Sequence, residues 1–297
     1  MLGDRVKIGS SQRPGLDIGK SDLPADFVIP QNWSSYTDEE HNTWNRLYER
    51  QATLLPGLVT PEFLDGLDAL NLHRGGIPDF DVINPELQRL TGWTVVPVPC
   101  LVPDAIFFEH LAHRRFPAGQ FIRKSNQLDY IEEPDVFHDV FGHVPLLTNP
   151  VFADYMQAYG QGGLRSLGYD ALKALARIYW YSVEFGLIRS AEGMKLYGAG
   201  IVSSFSESRF AIENPSPNRV HFDVERVMRT HYRIDDFQQT YFVIDSFQEL
   251  FELTYQDFEK FYRQLPQWSE FAPEDLTDDD HIYHRGTQAY ALANKGG

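Results

Sequence analysis

Two histidines and one glutamate are the side chains of this sequence best suited to chemistry. His138 and His143 lie close together in the run Glu132-Glu-Pro-Asp-Val-Phe-His-Asp-Val-Phe-Gly-His, and Glu184 stands alone in the apolar run Ile178-Tyr-Trp-Tyr-Ser-Val-Glu-Phe-Gly-Leu. An ionised carboxylate in such surroundings is costly unless it is paired or binds a metal ion. Two imidazoles and one carboxylate form the facial triad of non-haem Fe(II) oxygenases, which leaves positions open for oxygen and substrate.

Other interpretations of these three residues stay open at this point. The histidines can be surface residues or hydrogen-bonded residues of the core, and Glu184 can pair with Arg177 or Arg189 or face solvent. Zinc can use the same ligands, as it does in hydrolases with two histidines and a glutamate. The sequence has no His-Glu-x-x-His helix with a general-base glutamate, however, and the glycine motifs that bind phosphates are missing as well.

The five-residue spacing of the two histidines requires a break in the helix that carries them. On an α-helix, five steps of about 100° leave two side chains on different faces. We expect a helix over residues 135–142, which Gly142 ends and Pro145 prevents from continuing. His138 then projects from the last turn and His143 from the turn that follows, so that both rings can converge.

The elements that must position these residues are mostly helices. Thr37 is predicted to cap a helix, with Glu40 as its capping-box partner. Periodicity and capping signals predict further helices over 61–70, 85–90, 103–114, 150–159, 170–187 and 247–261. Residues 94–101 contain two prolines and are expected to form an edge strand or an extended loop. Short strands are predicted over 121–123, 198–204, 220–223 and 241–244.

This pattern predicts one mainly α-helical domain with a small β element, an α+β fold. The alternation of strands and crossover helices that marks a doubly wound parallel sheet is missing. We expect a flexible arm over residues 1–25, a single catalytic domain over 26–270 and an acidic C-terminal tail over 271–297.

The composition excludes several classes of function. The 297 residues carry 26 Lys and Arg against 42 Asp and Glu, a formal charge of −16, which disfavours a nucleic-acid partner and a polybasic membrane contact. No apolar run reaches the ~18 residues of a membrane span. Cys100 is the only cysteine, so no intramolecular disulfide can form. Without the apolar core of a signal peptide near the N-terminus, a cytoplasmic location is expected.

Three runs of sequence, residues 134–147, 178–187 and 197–204, resemble the pterin-dependent aromatic amino acid hydroxylases, most closely their short bacterial form. The resemblance extends from about Tyr36 to Leu265. It implies the catalytic-domain fold of that family, an Fe(II) centre, a tetrahydropterin cofactor, O2 as co-substrate and an aromatic amino acid as substrate. In that family the residues at the positions of His138, His143 and Glu184 are the iron ligands.

Further roles follow from the resemblance position by position. Arg123 matches the arginine that binds the carboxylate of the amino acid, and Asp135 matches the acid that steadies this arginine. Ser203 and Glu207 match a polar pair near the ligand histidines, and Phe107 matches the ring on which the pterin stacks. The remaining residues of the substrate pocket correspond to Tyr130, Pro134, Trp180 and again Ser203. The remaining residues of the pterin site correspond to Leu101, Val102, Asp139, Ala176 and Tyr179.

The sequence departs from animal members of the family in ways that bear on these expectations. Asp104 and Pro117 stand where those proteins have Ser and His near the pterin, and the regulatory domain and tetramerisation helix have no counterpart, so a monomer is expected. Trp180 resembles phenylalanine and tyrosine hydroxylases, whereas tryptophan hydroxylases tend to have Phe. We expect conversion of L-phenylalanine to L-tyrosine, with tyrosine or tryptophan hydroxylation and, less favoured, a zinc-dependent hydrolase as alternatives.

Overall fold

A computed structural model describes residues 23–129 and 133–294. Most of the predicted N-terminal arm and Tyr130 lie outside these ranges. The helices within them are α1 (Asp38–Leu54), α2 (Pro61–Ala69), α3 (Phe80–Thr91), α4 (Asp104–Ala112), α5 (Pro150–Ser166), α6 (Leu172–Tyr179), α7 (Ala199–Val202), α8 (Phe205–Glu213), α9 (Val224–Met228), α10 (Phe247–Glu252), α11 (Phe258–Gln264) and α12 (Ala289–Ala293). Two π-helices, Phe137–His143 and Trp180–Glu184, interrupt this series.

Seven short strands form two sheets in the described part of the chain. The strands are β1 (Thr94–Pro97), β2 (Arg115–Ala118), β3 (Leu187–Ser190), β4 (Gly193–Leu196), β5 (Asn218–His221), β6 (Thr240–Ile244) and β7 (Ile282–His284). Strands β1 and β2 pair in parallel as a two-stranded sheet. The larger sheet is mixed and has the order β4-β3-β6-β5-β7, with parallel pairs in its centre and antiparallel pairs at both edges. The predicted α+β class is confirmed.

Aromatic packing anchors the first π-helix to the core. The capping box of Thr37 and Glu40 begins α1 as predicted, and this helix buries Trp44 completely. The Trp44 ring packs edge-on against Phe137 at 5.0 Å, and Phe137 stacks on Phe141 at 4.6 Å. One side of the π-helix is therefore fixed in the core, which leaves the other side to carry polar groups.

Residues predicted as an acidic tail belong to the packed structure. Strand β7 extends the larger sheet by pairing with β5. Before it, the buried carboxylate of Asp280 accepts a 2.8 Å hydrogen bond from Nε of Arg226. After it, the Tyr290 ring of α12 packs against Phe210 and Phe237. At least one acidic side chain of this stretch, Asp280, therefore forms a buried ion pair within the fold.

Two predicted strands are wrong. Residues 121–123 are irregular because the segment that follows takes their backbone groups: the Phe121 carbonyl accepts from Val136 N–H, and Arg123 N–H donates to the Asp135 carboxylate. Residues 198–204 contain the helix α7, in which the Val202 N–H donates to the carbonyl of Gly198. Tertiary packing here overrides the β preference of an Ile-Val pair.

Several predicted helices have different bounds. The helix expected over 170–187 is α6 followed by the second π-helix, and Leu187 already begins β3. The helix expected over 247–261 is divided into α10, a 3₁₀ turn at Leu253–Tyr255 and α11. The helix expected over 85–90 is the last part of α3. Among the described residues, none of the helices combines the length and apolarity that a membrane crossing demands.

Candidate active site

The two histidines converge because they share a π-helix. The expected α-helix that ends at Gly142 is wrong, since a π-helix runs from Phe137 through His143. Hydrogen bonds in a π-helix join residues five apart, so a five-residue spacing is about one turn and places His138 and His143 on the same side. Their Nε2 atoms lie 3.2 Å apart.

Glu184 completes the group from the last residue of the second π-helix. Its two carboxylate oxygens lie 3.3 Å from Nε2 of His143 and 3.5 Å from Nε2 of His138. All three residues are buried. The alternative partners of Glu184 are engaged elsewhere, because Arg177 pairs with Glu270 and Arg189 with Asp245.

The spacing of these ligand atoms fits one metal ion. Atoms bonded to an ion at about 2.1 Å lie about 3.0 Å apart at octahedral angles and about 3.4 Å apart at tetrahedral angles. The observed separations of 3.2, 3.3 and 3.5 Å lie close to these values and nearer to the tetrahedral one, and the donor set suits iron(II) as well as zinc. A second group of close ligand atoms in the described chain, His221, Asp245 and Glu249, includes an exposed Asp245 that is already paired with Arg189.

Electrostatics keep Glu184 ionised in this buried place. Burial alone would raise its pKa, but His143 and His138 hold the pKa of Glu184 well below its ordinary value. The two imidazoles respond differently. Burial lowers the pKa of His143, whereas for His138 the nearby Glu184 carboxylate outweighs burial and raises the pKa. The site therefore holds an ionised carboxylate between two imidazoles, an arrangement that suits a cation.

Ser203 selects the tautomer of His138. The Ser203 hydroxyl donates to the carbonyl of Ala199 at 2.7 Å, so in its 3.0 Å contact with Nδ1 of His138 it must accept the imidazole N–H. The proton of a neutral His138 is thereby placed on Nδ1, and the lone pair on Nε2 points toward His143 and Glu184. Such outer hydrogen bonds orient metal ligands and raise their basicity.

Asp135 connects the metal group to Arg123. Its fully buried carboxylate accepts hydrogen bonds from Nε of Arg123 at 2.7 Å, from Nη2 at 2.9 Å and from the backbone N–H of His138 at 3.0 Å. Although burial alone would raise it, Arg123 and these N–H groups hold the pKa of Asp135 below its ordinary value. One carboxylate thus fixes both the arginine and the first turn of the π-helix.

The residues matched to the pterin site form a chain of rings that ends at a metal ligand. Phe107 of α4 packs edge-on against Tyr179 of α6 at 5.6 Å, and the Tyr179 ring lies 6.1 Å from the ring of His143 at 29°. Ala176 lies one turn before Tyr179 on α6 and is buried. Leu101 and Val102 lie in the loop before α4, and Leu101 is exposed.

Asp139 lies beside the metal ligands on the first π-helix. Its Oδ2 accepts the N–H of Gly119 at 2.7 Å, and the low polarity of its surroundings raises the pKa of Asp139 to about 7. Of the pair predicted near the histidines, Ser203 contacts His138, whereas the carboxylate of Glu207 accepts hydrogen bonds from Tyr241 and from the backbone of Gln238. Burial raises the pKa of Glu207 to about 7.

Two glycines allow the segments of the site to approach each other closely. A Cβ on Gly198 would lie 2.3 Å from the carbonyl oxygen of Glu184, and one on Gly142 would lie 3.0 Å from that of Ala199. Both glycines are therefore needed for α7 to pack against the π-helices that carry the ligands. The Gly198-Ala-Gly200 run, which lies in a predicted strand, is the sequence signal for this packing.

Comparison with known proteins agrees with this geometry. Residues 28–282 match the family described as biopterin-dependent aromatic amino acid hydroxylase. The phenylalanine-4-hydroxylase of Caulobacter vibrioides is 63% identical over 268 residues, 90% of this chain and 91% of the relative. That of Ralstonia nicotianae is 57% identical over 274 residues, 92% and 87% of the two chains. A solved phenylalanine hydroxylase of Chromobacterium violaceum with bound Fe(III) is 54% identical, has a TM-score of 0.85 and covers 86% of this chain and 94% of its own.

The chain belongs to the biopterin-dependent aromatic amino acid hydroxylases. The predicted family, its catalytic-domain fold and the enzyme class of pterin-dependent non-haem iron monooxygenases are confirmed. The predicted cofactors, Fe(II) and a tetrahydropterin, agree with this family and with the ligand geometry of the three buried residues.

Proposed function

We propose that this protein is a phenylalanine 4-monooxygenase, which converts L-phenylalanine, O2 and a tetrahydropterin into L-tyrosine and a hydroxypterin. The observation that carries the proposal is the direct link from Arg123 through Asp135 to the backbone of His138. It joins a group suited to holding an amino acid to a group suited to holding iron. The relatives named phenylalanine-4-hydroxylase support the choice of substrate.

Arg123 retains two N–H groups for a substrate carboxylate. A guanidinium has five N–H groups. Asp135 accepts two of them, and the carbonyl of Leu128 accepts one from Nη1 at 3.2 Å. Within the described residues this leaves one N–H on each terminal nitrogen, a pair that matches the two oxygens of a carboxylate. We propose that this edge of Arg123 binds the amino acid.

The link through Asp135 sets the position of the substrate relative to the metal. Because the same carboxylate holds Arg123 and the N–H of His138, neither can move without straining the other. Orientation of this kind contributes to rate, since misplacement by about 1 Å costs on the order of 100-fold. We assign Trp180, Pro134, Ser203 and Tyr130 to the pocket around the substrate, Tyr130 on the family resemblance alone.

His138, His143 and Glu184 would hold the iron, and the Phe107–Tyr179 ring contact marks the side for the pterin. When bound, the two cofactors supply the activation of O2 and the oxygen atom transferred to the ring, a chemistry that side chains do not provide. Burial of the three ligands keeps bulk water from the reacting groups, which strengthens electrostatic interactions and suppresses side reactions. Leu101, Val102, Asp139 and Ala176 complete the proposed pterin site.

Anaerobic reconstitution tests the proposal. Metal-free protein is loaded with Fe(II), a tetrahydropterin and phenylalanine, and tyrosine is measured after O2 is admitted. We expect tyrosine only when iron, pterin and O2 are all present. Activity with zinc under anaerobic conditions and without a pterin would instead favour the hydrolase, and hydroxylation of only tyrosine or tryptophan would reassign the substrate.

Other predictions from the sequence stay predictions. They are the monomeric state, the cytoplasmic location, the lack of nucleic-acid and membrane partners, and the division into an arm, one catalytic domain and a tail, although part of that tail packs on the domain. Size measurement in solution at several protein concentrations tests the first of these directly.

A further inference from the structure

The indole of Trp180 makes two ring contacts and one hydrogen bond. Its ring stacks on Tyr232 with centroids 4.2 Å apart and an angle of 16°, and it also contacts Phe185 at 4.7 Å. Stacking fixes the plane of a ring but tolerates sliding within that plane. A directional contact is needed to fix where the edge of the indole lies.

Gln238 supplies this directional contact. Its Oε1 accepts the indole N–H of Trp180 at 3.0 Å. Its Nε2 donates to the carbonyl of Arg233 at 2.8 Å and toward that of Asp236 at 3.4 Å. Rotating the amide by 180° would place NH2 against the indole N–H and oxygen against two carbonyls, so only one orientation of the amide satisfies all these groups.

The backbone of Gln238 is fixed as well. Its N–H donates to the carboxylate of Glu207 at 3.4 Å, and Glu207 also accepts from the hydroxyl of Tyr241 in β6. Residues 231–239 belong to no helix or strand, yet Gln238 itself is only 3% exposed. An irregular segment is thus tied to the sheet and to α8 at the residue that binds the indole.

We propose that Gln238 is a positioning residue that fixes the edge of the Trp180 indole and thereby sets the preference for a single-ring over a two-ring amino acid. The inference rests on the proposed function, which assigns Trp180 to the substrate pocket. A pocket wall that cannot slide accepts the smaller phenyl ring and excludes indole by overlap, whereas a wall that can slide makes room for both.

The test replaces Gln238 by methionine, which keeps the length of the side chain but cannot donate and is only a weak acceptor. Two quantities are compared between the Fe(II)-loaded variant and wild type: the ratio of kcat/KM for phenylalanine to that for tryptophan, and the hydrogen-exchange rate of the Trp180 indole N–H by NMR, assigned with Trp180→Phe. We expect the ratio to fall about five- to tenfold, the loss of one net hydrogen bond, and exchange to accelerate.

Gln31→Met is the matched control. Gln31 likewise bridges two backbone groups, donating to the carbonyl of Pro78 at 2.9 Å and accepting from the N–H of Phe80 at 2.8 Å, in an irregular segment without a predicted site residue. We expect it to change the ratio less than twofold. If Gln238→Met does not fold, Gln238→Asn keeps a neutral amide but withdraws it by one methylene from the indole, and it should likewise lower the ratio and accelerate exchange.

Two results would overturn the inference. One is an unchanged ratio and exchange rate in Gln238→Met, and the other is an equal change in Gln31→Met, which would indicate general loosening. If the wild-type enzyme hydroxylates no aromatic amino acid, the proposed function is wrong, and the proposed preference for a single-ring substrate is wrong as well. The exchange rate would then decide by itself whether Gln238 positions the indole.

Discussion

Removal of the Ser203 hydroxyl should weaken metal binding while the protein stays folded. The hydroxyl accepts the Nδ1 proton of His138 at 3.0 Å. In Ser203→Ala that proton has lost its acceptor in a buried place, and neutral His138 can move its proton to Nε2, the nitrogen that faces His143 and Glu184. The carbonyl of Ala199 loses the hydroxyl but still accepts the backbone N–H of Ser203 at 3.0 Å. The group left without a hydrogen-bond partner is therefore mainly the Nδ1–H of His138.

The size of the effect follows from the role of outer hydrogen bonds at metal sites. Loss of such a partner costs about 10- to 100-fold in metal affinity, which corresponds to about 1.4–2.7 kcal/mol. The free energy of unfolding should change less, because the substitution removes one hydroxyl, whose hydrogen bond makes a net contribution of about 1 kcal/mol.

The assay is competition of metal-free protein with a chelator for Co(II) or Fe(II), beside chemical denaturation. Ser208→Ala is the control, because the buried Ser208 hydroxyl donates to the carbonyls of Ile201 and Ser204 at 2.8 Å each and contacts no metal ligand in the described chain. Affinity of Ser203→Ala within twofold of wild type would refute the reasoning. So would an equal loss in Ser208→Ala.

Three further predictions test other parts of the site. Arg123→Lys keeps a positive charge beside Asp135 but loses the planar pair of donors, so KM for phenylalanine should rise about tenfold with a smaller change in kcat; an unchanged KM in steady-state kinetics removes Arg123 from the substrate site. Gly198→Ala should destabilise the fold by about 1–3 kcal/mol through overpacking against Glu184, and denaturation midpoints equal to wild type would contradict this. The pKa of Glu207 is raised from 4.5 to about 7, so the native state binds the proton more tightly than the unfolded state and wild-type stability should decline as pH rises through that window. Glu207→Gln should lack this decline, and urea denaturation at pH 5 and pH 8 that gives parallel profiles for the two proteins would count against it.

The chemistry of the site is largely readable in the sequence because it depends on residue types in local runs. Glu184 is conspicuous as the one acid in an apolar segment, and His138 and His143 lie in a single polar motif. The π-helix that brings the histidines together is harder to predict from the sequence. Composition does not distinguish a π-helix from an α-helix, and the wider winding occurs where Phe137 stacks on Phe141 in the core.

Contacts between distant segments account for the remaining errors. Residues 198–204 have the composition of a strand, yet Gly198 packs against the Glu184 carbonyl and caps a short helix. Gln238 lies 58 residues from Trp180 in a segment without periodicity, and no local pattern marks it as a partner. Such residues are found only when the fold places their polar atoms within hydrogen-bond distance.

The central claim is that the iron and pterin site of this chain inserts one oxygen atom from O2 into phenylalanine. The most direct measurement is mass spectrometry of the products formed under ¹⁸O2 when phenylalanine, tyrosine and tryptophan are offered together to the Fe(II)- and tetrahydropterin-loaded enzyme. We predict tyrosine with one ¹⁸O atom as the main product, and its loss in Glu184→Ala. A net gain of tyrosine without ¹⁸O above the amount supplied, or no amino acid that contains ¹⁸O, would contradict it.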